Sequence, residues 1–132
     1  MDDILKKILF FSVILGIILY SFYFVVSTGT AQEFILEHSH ESWAPGAMYN
    51  LGNVFLFVQA HYNAEDVFEV MVDTFSHTEY YEKAYYKYFS IAASDNGRKR
   101  DTLERGEDFL SEFPDSEKAE IVENRIDILK KF

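Results

Sequence analysis

No cysteine occurs among the 132 residues. That excludes disulfides, thiolate zinc centres, cysteine nucleophiles and a lipidated cysteine anchor together, while leaving the redox compartment open. Proline is nearly missing too, with only Pro45 and Pro114. So few helix breakers in a chain rich in Leu, Ile, Phe, Tyr, Glu and Lys favours an all-α fold. Positive charge is missing from a long stretch: no lysine or arginine stands between Lys7 and Lys83. Within it, from Glu33 to Asp73, stand seven acids, Glu33, Glu37, Glu41, Glu65, Asp66, Glu69 and Asp73. The formal net charge of −10 disfavours non-specific nucleic-acid binding. The P-loop, Gly-x-Ser-x-Gly, dinucleotide-binding and His-Glu-x-x-His signatures are all lacking. The expectation is a non-enzymatic protein with no cofactor.

What is present begins with an apolar run. Residues 8–32 carry no charge, and the dense part, Ile8 to Val26, is 19 residues. At 1.5 Å per residue that is about 28 Å, close to one hydrocarbon thickness. Tyr20 and Tyr23 stand toward its far end, where interfacial aromatics are common. A secretory signal peptide has a shorter apolar core, of about 7–15 residues, so a retained signal-anchor helix over 8–30 is expected, although Gly29-Thr30-Ala31 resembles a cleavage site. Lys6 and Lys7 precede the run and Glu33 and Glu37 follow it. The positive-inside rule then places residues 1–7 in the cytoplasm and the bulk of the chain outside it.

Beyond a juxtamembrane extension (31–44), expected to prolong the membrane helix for two turns before Pro45-Gly46 interrupts the chain, the pattern alternates helices and turns. Helices are expected over about 45–60, 64–76, 79–94, 98–112 and 116–131, with turns at His61-Tyr62-Asn63, at Ser94-Asp95-Asn96-Gly97 and at Phe113-Pro114. Asp115 or Ser116 is placed to cap the last helix, whose apolar stripe is Ala119, Val122, Ile126 and Leu129. The densest feature is Tyr-Tyr-Glu-Lys-Ala-Tyr-Tyr-Lys-Tyr-Phe at 80–89, six rings in ten residues. Tyr85, Tyr88, Phe89 and Ala92 fall at i, i+3, i+4 and i+7, a single buried face that Tyr81 extends by one turn. Tyr86, with Lys83, Lys87 and Ser90, is left on the other side.

Met48, Leu51, Gly52, Phe55, Ala64 and Phe68 lie at the spacings of a helix-turn-helix repeat. In this the chain resembles the tetratricopeptide-repeat family. Met48 stands where the family prefers Trp, Met71 where a small residue is usual, and Ser76 where proline is common. A second unit aligns at an offset of 37 residues, three beyond the usual 34. Tyr85, Tyr88, Phe89 and Ala92 then match Met48, Leu51, Gly52 and Phe55. With one residue inserted at the turn, Thr102, Gly106, Phe109 and Pro114 match Ala64, Phe68, Met71 and Ser76. The large and small partners are exchanged between the units, a volume swap at the helix contact. The resemblance implies a domain over 45–132, with repeats at about 45–78 and 82–114 and a capping helix at 116–131. It is similar in plan to membrane-anchored periplasmic members that serve as accessory subunits.

The resemblance also implies a peptide groove on the first helix of each repeat, here Tyr49, Asn53, Leu56, Lys83, Tyr86, Lys87 and Ser90. Some members hold a terminal carboxylate with Asn and Lys at the positions of Asn53, Lys83 and Lys87, but Tyr49 stands where that clamp has a lysine. The plainer reading of Lys83 is an ion pair with Glu79. Glu37 and His40 form a single Glu-x-x-His pair at helical spacing, whereas di-metal bundles need two copies. A solvated turn is the preferred reading there, and no metal is expected. His61 and His77 read as exposed turn residues. The basic cluster Gly97-Arg98-Lys99-Arg100 is surrounded by Asp95, Asp101 and Glu104, which makes it a poor phosphate patch.

The expected function is a membrane-tethered scaffold or accessory subunit. Its partners are other proteins or further copies of itself, with the bilayer held through 8–30 and no nucleic acid. The alternatives are a subunit that self-assembles into an oligomer or filament, and a small metal-binding subunit using Glu37 and His40. Two repeats are fewer than the three or so a free-standing array needs, which predicts packing against a partner or a second copy.

Overall fold

The structure, a computed structural model, describes residues 2–95 and 97–132. It is all-helical, with no strand among the described residues. It divides into two units, residues 1–38 and 39–132.

The first unit holds α1 (Asp3–Ser27) and α2 (Thr30–Glu37). α1 is 25 residues, about 37 Å, and buries none of its side chains. It is the one described helix long and apolar enough to span a membrane. Its end corrects the expectation of a continuous helix. Both the Thr28 N–H and the Thr28 hydroxyl donate to the Phe24 carbonyl, and Gly29 takes the left-handed φ of 79° that closes helices. α2 is therefore a new, short helix.

The second unit is a run of five helices: α3 (Ala44–Phe57), α4 (His61–Thr74), α5 (Tyr81–Ala93), α6 (Lys99–Glu112) and α7 (Ala119–Lys131). Each packs chiefly on its neighbours in the chain, α3 on α4, α4 on α5, α5 on α6 and α6 on α7. Short turns join them, so they stack as successive antiparallel hairpins with a last helix closing the end.

Three expected boundaries move. The first turn lies at Val58–Ala60, not at His61–Asn63, which form the start of α4. Gln59 makes the reversal with φ 60°, the only described non-glycine residue in that region. α7 starts at Ala119 because residues 116–118 form a turn of their own. There the Ser116 hydroxyl oxygen accepts the Lys118 N–H at 3.1 Å, and the Ala119 N–H reaches the Ser116 carbonyl at 3.0 Å. α5 starts at Tyr81, so Glu79 lies in the preceding turn.

The two hairpins are packed by one close contact each, with the volumes exchanged. A Cβ on Gly52 would sit 2.6 Å from the Phe68 ring. A Cβ on Gly106 would sit 3.0 Å from the Phe89 ring and 2.8 Å from the Ile126 Cδ1. The ring thus comes from the second helix in one hairpin and from the first in the other, and each glycine lets the two backbones approach. Around these contacts the first hairpin buries Met48, Leu51, Phe55, Ala64, Val67 and Met71. Tyr85, Phe89, Phe109, Val122 and Ile126 form the core of the rest.

The aromatic stretch at 80–89 is mostly core. Tyr81 packs edge-on to Tyr85 and to Phe113, with centroids 5.7 and 5.0 Å apart, and Tyr85 packs on Phe109 at 6.2 Å. Tyr88 is only half-buried, and the Arg105 guanidinium covers one face of its ring at 3.6 Å. Burial, with Asp108 close by, pushes the Tyr85 phenol up to about 12.

Candidate functional site

A groove of about 540 Å³ opens between α3, α5 and the turn before α7. Tyr49, Glu82, Lys83, Tyr86, Lys87 and residues 115–118 line it. Four of the seven residues expected from the sequence, Tyr49, Lys83, Tyr86 and Lys87, are brought together here. Asn53, Leu56 and Ser90 do not line it. The Ser90 hydroxyl donates to the Tyr86 carbonyl at 2.7 Å instead, one turn back along α5.

Two aromatic rings form the apolar floor. Tyr49 is held between the Tyr80 ring at 5.5 Å and the Phe68 ring at 6.0 Å. Tyr86 leans on Phe109 and Phe89, at 6.0 and 6.3 Å. Packing fixes both rings, so the floor is preformed.

The charges are of both signs. Lys83, Lys87 and Lys118 face Glu82, Asp115 and Glu117. The Ser116 hydroxyl donates to Glu82, which ties the far wall to the first turn of α5. Lys118 stands 5.3 Å over the Tyr86 ring. The expected pairing of Lys83 with Glu79 does not form: neither Lys83 nor Lys87 has an ion pair among the described residues. The reason is local, since Glu79 precedes α5 and no helical turn brings it under Lys83. Two ammonium groups therefore stand free beside two fixed rings. In the sequence, Pro114, Asp115 and Ser116 read as a helix stop and cap, so the wall at 115–118 carries no groove pattern of its own. The available signal is the run of polar residues just before α7.

A denser charge cluster lies elsewhere, joining α4 to α6 and to Arg98 just before it. Arg98 donates to both oxygens of Glu65, at 2.7 and 2.6 Å, and to Asp101 at 2.9 and 2.8 Å. Arg105 also reaches Glu65, and donates to the Tyr88 carbonyl at 2.9 Å. The Arg98 hydrogen bonds, with Arg105 adding to them, overcome burial and hold the Glu65 carboxyl down at about 2. The cluster is internally paired, which is the signature of a strut rather than of a site poised for chemistry.

The Glu37–His40 pair loses its helical premise, since α2 ends at Glu37 and His40 lies in the following turn, 3.3 Å from Glu41. The His38 ring nitrogen bonds the Phe34 carbonyl at 2.8 Å. No group of three or more metal-ligating side chains occurs among the described residues.

No family model, no curated protein and no solved structure matches the chain.

Proposed function

We propose that the chain is a membrane-tethered, tetratricopeptide-like interaction module, a scaffold or accessory subunit that takes a segment of a partner protein into the α3–α5 groove. The supporting observation is the convergence of Tyr49, Lys83, Tyr86 and Lys87 from the first helices of two successive hairpins on one groove of about 540 Å³. A peptide suits such a place: rings that already have their orientation receive apolar side chains at little entropic cost, and free lysines pair with acids or carbonyls. In this reading the role is binding, not catalysis. The domain lies outside the cytoplasm, with Lys6 and Lys7 holding the N-terminus inside.

Two measurements test the reading. The full chain, extracted from its native membrane in mild detergent, should bring down a partner. The Lys83→Glu/Lys87→Glu variant should lose it while staying folded. Undiminished recovery by the variant refutes the groove assignment. Protease added outside intact cells should digest the domain. Protection would move it to the cytoplasm.

A further inference from the structure

We infer that the α3–α4 end of the domain is a second membrane contact, which rests in the headgroup interface of the bilayer that α1 spans. Phe57 is 89% exposed, Tyr62 85% and Val58 60%, and Val54 is exposed beside them. No Asp, Glu, Lys or Arg occurs from Ser42 to Ala64, so this hairpin end carries no formal charge. The amides of the reversal itself are paired within the chain. The N–H groups of Val58, Gln59 and Ala60 are all taken by carbonyls of α3, at 3.1, 3.1 and 2.8 Å. An uncharged tip of Phe, Val and Tyr with its turn amides already satisfied suits the boundary between headgroups and acyl chains.

A second feature lies at the same end. Successive antiparallel helices bring the α3–α4 and α5–α6 turns together. His61 and Tyr62 share one groove with Ser94, Asp95 and Arg98. The α5–α6 turn leads into the basic cluster. Arg98 is spent on Glu65 and Asp101, but Lys99 and Arg100 are exposed and have no ion pair among the described residues. They would meet lipid phosphates beside the apolar tip. Asp66, Glu69 and Asp95 border that groove and oppose the attraction, so the apolar tip leads and the cations assist.

The test uses the full chain in phosphatidylcholine nanodiscs. Because the chain has no cysteine, Val58→Cys, Tyr62→Cys and Ser111→Cys each accept one environment-sensitive fluorophore. Ser111 lies near the opposite end of the hairpins. With a spin-labelled lipid quencher just below the headgroups, the labels at 58 and 62 should lose at least half their emission, and the label at 111 should lose little. Phe57→Ser with Lys99→Glu and Arg100→Glu should bring position 58 to the level of 111. Equal quenching at 58 and 111 overturns the inference. So does shielding of position 58 only in native membranes, which would show that a protein covers the tip. A label at Gly16→Cys reports on α1; if it stays in water, α1 does not span and the inference falls with it.

Discussion

Glu65 offers the sharpest quantitative test, because it is the one carboxylate among the described residues held by two guanidinium groups, Arg98 just before α6 and Arg105 within it. Glu65→Gln keeps the shape and removes the charge. Arg98 is then left with Asp101, and Arg105 with the Tyr88 carbonyl. In the unfolded chain the carboxyl titrates near 4.5; in the fold it is lowered to about 2. At 1.36 kcal/mol per pH unit, the carboxylate stabilises the fold by about 3 kcal/mol, an upper figure. The sign follows from the lowered folded value. Between pH 4.5 and 2 the unfolded state binds the extra proton, so the contribution is complete above pH 4.5 and disappears as pH falls toward 2.

Urea unfolding of the full chain in detergent micelles, followed through Trp43, the single tryptophan, reads this directly. At pH 7 the variant should be about 2–3 kcal/mol less stable than the parent. The gap should narrow through pH 4 and 3 and nearly close by pH 2. Other carboxylates titrate in the same range, but they do so in both proteins, so the difference isolates Glu65. A gap that stays constant from pH 7 to 2.5 refutes the charged strut. A gap under about 0.5 kcal/mol at pH 7 does so too.

Gly52→Ala forces a Cβ to within 2.6 Å of a fully buried Phe68 ring, and should cost about 1–2 kcal/mol in the same assay after the helix-propensity gain is subtracted. Gly106→Ala should cost less, since the nearest atom to its Cβ, at 2.8 Å, is the terminal Cδ1 of the flexible Ile126 side chain, and the Phe89 ring stands farther off at 3.0 Å. Phe109→Ala removes the ring shared by Tyr85, Tyr86 and Phe113, and should cost about 3–5 kcal/mol. Lys83→Ala and Lys87→Ala, which break no ion pair, should leave stability within about 0.5 kcal/mol.

The helices and their inner faces were legible in the sequence because burial imposes a period that any helix must show. Met48, Leu51 and Phe55, or Val122 and Ile126, declare themselves by spacing alone. The exchange of Gly52–Phe68 for Phe89–Gly106 was legible too, because a volume swap preserves the register of the two hairpins. Turns were less readable. The α3–α4 reversal uses Gln59 in a left-handed conformation that favours Gly or Asn, so the turn expected at His61-Tyr62-Asn63 falls three residues beyond the real one. Half of the groove could be read, since Tyr49, Lys83, Tyr86 and Lys87 sit opposite the apolar faces of α3 and α5. Its far wall, Asp115 to Lys118, could not, because a loop has no period. The Glu65 cluster joins residues 33 and 40 positions apart, and no local pattern announces such a pair.

The basic residues divide by chemistry. Three of the four arginines build: Arg98 and Arg105 bind Glu65 across α4 and α6, and Arg125 donates to the Ala93 carbonyl at 2.8 Å, fastening α7 to the end of α5. These tasks need a planar fork that can reach two acceptors at once and keep its charge when partly buried. The lysines take the positions where a mobile point charge suffices. Lys130 makes one surface pair with Glu107, Lys118 rides over Tyr86, and Lys83 and Lys87 remain free on the groove wall. An acidic chain with so few cations has placed its arginines where removal should loosen the stack. Two lysines, Lys83 and Lys87, sit where removal should leave the stack intact. That division makes the groove separable from the fold. A loss of partner on reversing Lys83 and Lys87 can therefore be read as lost binding, with the Glu65 strut and the core around Phe109 serving as the internal control.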